Sequence, residues 1–373
     1  MKNLDTEVII IGSGVIGLSI AYFLSKNEKK VILVEKEKNF GEGVSSRNTE
    51  VIHAGIYYAK ESLKSRLCLS GKEKLYEFCK RYHISHKKIG KLFIAINKNE
   101  EVYLEKINSQ ALANGLMDLK YLSKKQIQII EPALKCEMAI LSPSSGIVDS
   151  HGLMDCLLRL SQDNGTIFSA QTPFLKAEYS SNCWKVYLGG KDPTELSCKV
   201  VINAAGLHAI DISNQVVSNQ NIPIADPVKG LYLRYLGKSP LKHIVYPALI
   251  PGKIKERADA TPDLNESLRF GPSVEKSQNN RIDDFSINPN IRERFFPLIR
   301  KYLPNIDINK LHLDIAGIRP KVKKKSDTVP DFMFEWGTQP GWLDLWNIES
   351  PGLTACLAIG EHVLQKVKNN NLL

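Results

Sequence analysis

The sequence predicts an α/β protein in which a parallel sheet suited to a nucleotide is interleaved with a largely antiparallel one. Three observations predict it. A strand, a glycine-spaced loop, a helix and a second strand open the chain. Signals of the same kind recur in the middle and at the end. The stretches between them alternate in the manner of antiparallel strands.

Composition bounds the answer. At roughly 100–200 residues per domain, 373 residues fit two domains. Hydrophobic residues at 43% and charged residues at 24% match globular proteins and exclude wholesale disorder. No apolar run reaches the roughly 18 residues of a membrane-spanning helix. The apolar start, Val8-Ile9-Ile10-Ile11, is too short for a signal peptide and runs straight into glycines. Seven cysteines form no CxxC pair, which points to free thiols in a reducing compartment and predicts no metal site. The net charge of +10 is spread among interleaved glutamates, as in Glu35-Lys36-Glu37-Lys38, so a solvated surface is expected rather than nucleic-acid binding. The densest run, Lys321 to Lys325, lacks aromatics and leaves a peripheral contact with anionic lipid open. The expected location is cytoplasmic, with the inner face of the membrane as the place of any such contact.

The elements follow in order. Residues 8–11 form a continuous β-branched run, as in a strand buried on both faces. A helix is expected over 18–27 and a strand over 31–34, giving a βαβ unit with a right-handed crossover. Residues 91–96 read as a strand, 99–114 as a helix and 146–148 as a short strand. Ser150 is the expected N-cap of a helix over 151–162. Strands are expected at 174–179, 184–188 and 200–203. Residues 228–320 read as sheet with one helix, 291–302. A strand over 342–348 and a helix over 352–368 close the pattern.

The spacing of Gly12, Gly14 and Gly17 gains its meaning from context. Gly12 permits the tight turn, Gly14 lets a pyrophosphate approach the backbone, and Gly17 lets the helix pack on the strand. The phosphates then meet unpaired N–H groups at a helix N-terminus. Glu35, ending the second strand, accepts hydrogen bonds from the hydroxyls of an adenosine ribose and argues against a 2′-phosphate. The motif alone does not decide between NAD and FAD.

The remaining blocks decide it. The run Ser45-Ser46-Arg47-Asn48-Thr49-Glu50-Val51-Ile52-His53-Ala54-Gly55-Ile56-Tyr57-Tyr58 resembles the flavin-contacting segment of the D-amino-acid-oxidase-like (DAO) FAD oxidoreductases. Asn203-Ala204-Ala205-Gly206, Lys229-Gly230, Arg269-Phe270-Gly271-Pro272, Ala316-Gly317-Ile318-Arg319-Pro320-Lys321 and Ile348-Glu349-Ser350-Pro351-Gly352-Leu353-Thr354 agree in order. Within the family the blocks are most similar to those of the L-2-hydroxyglutarate dehydrogenases and oxidases. The resemblance implies a Rossmann-like FAD-binding domain interleaved with a substrate domain on a largely antiparallel sheet. The expected division is 1–88, 142–215 and 328–373 for FAD, and 89–141 and 216–327 for substrate. It implies non-covalent FAD and oxidation of a small 2-hydroxy acid, best fitted by L-2-hydroxyglutarate, through hydride transfer to flavin N5. The electrons then pass to O₂, a quinone or another carrier. An amine or amino-acid oxidase of the same fold, and a non-catalytic FAD-binding protein, are the alternatives.

The resemblance also assigns residues. Ser45, Ser46, Arg47 and Asn48 offer donors to isoalloxazine and pyrophosphate. Ala205 and Gly206 close a strand where backbone passes the cofactor. Pro351, Gly352, Leu353 and Thr354 open the last helix, whose dipole favours negative charge on the flavin pyrimidine. For the substrate, Arg319 is the first choice for a carboxylate, through its planar fork. Lys229 is the second, and Tyr57 is a phenol donor. His53 either acts as base or donor, or anchors the flavin covalently. The family's usual histidine before the RFGP-like block is replaced by Asp259, inside the charged run Lys255-Glu256-Arg257-Ala258-Asp259. Asp259 serves as a base if burial raises its pKa, and would repel a dianionic substrate.

Overall fold

The βαβ unit that the glycine spacing predicts is the centre of a six-stranded sheet. In this computed structural model, residues 4–216, 221–248, 257–277, 281–323 and 329–372 are described. The strand Val8–Ile11 lies between Val31–Val34 and Val200–Asn203, parallel to both. Ile167–Ser169 extends the parallel order on one side and Trp342–Trp346 on the other, with Met333–Trp336 as an antiparallel edge. All of Val8–Ile11, Val31–Val34 and Val200–Asn203 are buried, as an unbroken apolar run requires of a parallel strand covered on both faces.

The helices Val15–Ser25, Leu63–Arg81 and Gly352–Asn369 pack together on one face of this sheet. Their contact is close because Gly71 meets the last helix: a Cβ there would lie 2.7 Å from the Ala355 Cα. Leu63–Arg81 is a 19-residue helix in a region to which the sequence pattern assigned no element. It buries Leu67, Cys68, Leu75, Phe78 and Cys79. An antiparallel trio, Phe174–Ser180, Cys183–Leu188 and Thr194–Cys198, covers the other face with Trp184 and Val186.

A second sheet has nine strands. It is antiparallel except for one pair, Ile244–Pro247 beside Lys91–Ala95, which sets Ile244 opposite Lys91 and Tyr246 opposite Phe93. The long strands Val228–Tyr235 and Leu311–Arg319 pair in it, with Val228 opposite Arg319. The helix Ser150–Asp163 begins one residue earlier than expected. Its N-cap is Asp149, whose carboxylate accepts from the Gly152 N–H, so Ser150 lies inside the helix. All seven cysteines are free. Among the described residues no helix is long and apolar enough to cross a membrane. Lys324, Lys325, Lys255 and Glu256 lie outside the described residues.

Candidate active site

A cavity of about 860 Å³ runs from the glycine loop to the second sheet. That is toward the upper end of what small-molecule sites hold. At one end stand Gly12, Gly14 and Glu35. Gly12 has φ +98°, a value glycine adopts freely. A Cβ on Gly17 would lie 1.9 Å from the Gly12 carbonyl oxygen, so Gly17 sets how closely the helix meets the turn rather than lining the cavity. The Glu35 carboxylate accepts from the Ser13 N–H and hydroxyl, both at 2.9 Å, and from the Glu37 N–H at 3.0 Å. It is thereby fixed facing the cavity, with lone pairs to spare for ribose hydroxyls.

The middle of the cavity is built by the segment 43–54. The Ser45 hydroxyl accepts from the Val15 N–H at 3.0 Å, at the start of the first helix. The Arg47 guanidinium stacks on the Phe285 ring at 4.1 Å, and its Nε is buried with no partner among the described residues. Two expected donors are used differently. The Ser46 hydroxyl donates to the Gly41 carbonyl and lies off the cavity lining. The Asn48 amide donates to the Ser45 carbonyl at 2.7 Å and accepts from the Glu50 N–H, so it shapes the loop. Arg269 of the RFGP-like block donates to the Asn48 carbonyl at 2.9 Å and holds that loop from the second sheet.

Ala205, Gly206, Pro351, Gly352, Leu353 and Thr354 all line the cavity as expected. Behind Ala205, the Asn203 amide donates to Asp344 at 2.8 Å in a buried network with Ser213. Thr354 has a second task. Its hydroxyl accepts the His53 N–H at 3.0 Å and donates to the Val51 carbonyl at 3.3 Å. The last helix thus fixes the backbone of His53.

At the far end His53, Tyr57, Tyr58, Tyr232, Tyr246, Arg257, Asp259 and Arg319 converge. His53 Nε2 lies 3.4 Å from the Ser350 hydroxyl, on the cavity side. Its Nδ1 lies 3.3 Å from Lys91 Nζ, a group behind the lining. Burial, with Lys91, Arg319 and Arg257 nearby, holds His53 well below the ordinary imidazole range, so it is neutral at pH 7. The Tyr57 hydroxyl is buried without a partner among the described residues.

Arg319 ends its strand with its guanidinium near the Tyr232 side chain, and both line the cavity. Among the described residues no carboxylate oxygen lies within 4.0 Å of it. Glu349, whose charge it feels, is already paired with Lys64 at 2.9 Å and Lys321 at 3.6 Å. Asp259 is gripped by Arg257, which donates from Nη2 to Oδ2 at 2.8 Å and sets Nε against Oδ1. Burial pushes Asp259 up to about 6 in spite of that partner. The local sum at this end is positive, and the repulsion expected of Asp259 is compensated by Arg257. Lys229 does not join the cluster. Its ammonium bonds Asp284 at 3.1 Å and Ser286 at 3.2 Å, away from the cavity lining.

Three contributors escaped sequence reasoning: Lys91, Arg257 and Tyr246. Arg257 stacks on the Tyr246 ring at 4.7 Å, and Lys91 lies over the same ring at 4.2 Å. They meet through the parallel pairing of two short strands and a loop, and no local motif marks them.

Fold and cavity together define a flavin oxidoreductase. The DAO family of FAD dependent oxidoreductases matches residues 7–366, and the chain belongs to it. It is 34% identical to the mitochondrial L-2-hydroxyglutarate dehydrogenase of Arabidopsis thaliana, across 96% of this chain and 83% of that protein. It is 29% identical to a glycerol 3-phosphate dehydrogenase of Caloramator mitchellensis, across 97% of this chain and 74% of that one. The FAD-bound L-α-glycerophosphate oxidase of Mycoplasma pneumoniae superposes with a TM-score of 0.87 at 25% identity, covering 97% of this chain and 94% of that one. The protein is an enzyme and its cofactor is FAD. The residues present fit that group: a glycine cradle, a fixed Glu35 and an unpartnered Arg47 Nε face one continuous cavity.

Proposed function

We propose that this enzyme oxidises the secondary alcohol of a small 2-hydroxy acid, with L-2-hydroxyglutarate to 2-oxoglutarate as the favoured reaction. The observation that carries the reading is Arg319. A guanidinium facing the cavity with no carboxylate partner among the described residues is a site for an anion from outside. The name of the Arabidopsis relative supports the choice of substrate. Gly12, Gly14, Glu35, Ser45 and Arg47 would hold FAD, with the start of the last helix beside it. FAD, when bound, supplies a hydride acceptor. Arg319 binds the substrate carboxylate and His53 receives the hydroxyl proton at Nε2. Tyr57 donates to the substrate oxygen.

Flavin absorbance under anaerobic conditions tests this. L-2-hydroxyglutarate should bleach the flavin faster than L-lactate, because a truncated substrate forfeits binding energy that lowers the barrier. Glycerol 3-phosphate is the necessary comparison, since it also sets an anion near a secondary alcohol and relatives carry its name. Fastest reduction by glycerol 3-phosphate, equal rates for the two hydroxy acids, or reduction by amino acids alone would each overturn the proposal.

A further inference from the structure

We infer that Lys91 is the positioning residue that makes His53 a base: its amine accepts the Nδ1 hydrogen and leaves Nε2, beside the Ser350 hydroxyl, without a hydrogen of its own on the cavity side. The inference rests on the proposed role of His53.

The geometry assigns the two ring nitrogens different surroundings. Nε2 faces Ser350, a cavity-lining residue, and Nδ1 faces Lys91, which is 1% exposed and behind the lining. An imidazole can take a proton at Nε2 only if its own hydrogen sits on Nδ1, and that hydrogen needs an acceptor. Within hydrogen-bond reach of Nδ1 the structure offers the Lys91 amine. A protonated ammonium would do the opposite. It would donate to Nδ1, move the hydrogen to Nε2 and block the base.

The surroundings favour the amine. Lys91 forms no ion pair within 4.0 Å among the described residues. Burial brings it down to about 7, with Asp259 and Cys68 opposing and Arg257 assisting. The groups that face it are His53, Cys68, Tyr246, Arg257 and Asp259, with the Phe93 ring on its own strand. A lysine so placed is useless as a salt-bridge partner and well suited as a proton acceptor near neutral pH.

The step balances. The substrate O–H bond breaks and its proton goes to His53 Nε2. The Nδ1–H bond breaks and that proton goes to Lys91 Nζ, which becomes an ammonium. Bound FAD would supply the acceptor for the hydride that carries away the electron pair of the substrate C–H bond. Returning the Lys91 proton to solvent resets the pair.

The test is the anaerobic flavin-reduction rate of the FAD-loaded enzyme across about pH 5.5 to 8.5, the range over which such a pair titrates. Wild type should show a rate that rises with pH through about 7, as Lys91 loses its proton. Lys91→Met removes the acceptor. Lys91→Arg keeps charge and bulk but cannot accept. Both should keep FAD and lose roughly 100-fold or more in rate, the range typical of a lost proton-transfer partner. Both should also lose the limb near 7. A residue that merely fills space would be tolerated as arginine and would leave that limb in place. Lys91→Arg within threefold of wild type overturns the inference, as does a variant that is slow but keeps the limb. A flat wild-type profile overturns it even if both variants shed FAD. His53→Gln separates the two readings. If it reduces at the wild-type rate, the base assignment itself fails. If it is slow while Lys91→Arg is fast, only the role of Lys91 fails.

Discussion

The Arg257 guanidinium holds the Asp259 carboxylate at the end of the cavity far from the glycine loop, with Nη2 donating to Oδ2 at 2.8 Å. Both side chains are largely withdrawn from water, and Arg257 also stacks on Tyr246. The pair lets a carboxylate stand near Arg319, the proposed anion site, without cancelling its charge. Asp259 normally ionises near 3.8 and is held up at about 6 by burial. Its folded pKa therefore exceeds its unfolded one. The stabilising contribution is complete below about 3.8 and is lost as pH rises through about 6. Wild type should gain stability relative to Asp259→Asn when pH falls from 7 to 5, read as the difference in melting temperature. A gain on raising the pH would show that Asp259 is not held up.

Arg319→Lys keeps a positive charge but not the fork. Leaving a desolvated substrate carboxylate poorly matched costs on the order of 2–5 kcal/mol. At about 1.4 kcal/mol per decade, kcat/KM should fall roughly 30- to several-thousand-fold while the flavin-to-protein absorbance ratio stays normal. Near-wild-type kcat/KM would make Arg319 structural. Loss of FAD first would place it with the cofactor.

Two of the cradle glycines, Gly17 and Gly14, should fail in different ways. A Cβ on Gly17 would collide with the Gly12 carbonyl at 1.9 Å. Gly17→Ala should thus destabilise the whole fold by about 3 kcal/mol, the upper end of ordinary overpacking costs. At Gly14 the nearest obstacle is the Ser45 hydroxyl at 3.0 Å. Gly14→Val should therefore leave a folded protein without FAD. Circular dichroism beside flavin absorbance tells the two apart, and a folded Gly14→Val with full FAD content would refute the cradle.

Thr354→Val removes the acceptor of the His53 N–H and is close to isosteric. An unsatisfied buried donor costs about 1–3 kcal/mol. Chemical denaturation should show that loss, and kcat/KM should drop because His53 is no longer fixed from behind. An unchanged midpoint and unchanged kinetics would mean that the His53 backbone is held by its own strand alone.

The cradle was legible because its parts are neighbours in sequence: a β-branched run, three glycines and an acidic residue at the end of the next strand. The start of the last helix was legible for the same reason, from Pro351 to Thr354. The substrate end was only partly so. Arg319 and Asp259 stood out by residue type, but the Asp259 partner, Arg257, was hidden in a charged run that looked like surface. Lys91 was hidden more deeply, since a lysine opening a strand reads as an exposed end until Ile244–Pro247 is laid beside it. Lys229 shows the converse. Its sequence neighbourhood pointed to the substrate, and a distant Asp284 claims its charge.

The last helix, Gly352–Asn369, packs on the first helix and fixes the backbone of His53 through Thr354. During synthesis this has an ordering effect. A nascent chain on the ribosome carries the glycine loop and His53 long before Thr354, 301 residues beyond His53, has been made. Until then the cradle has one wall, and the helices Val15–Ser25 and Leu63–Arg81 lack the surface they bury. Capture of the flavin is thereby deferred until the last helix has left the ribosome and can close behind His53.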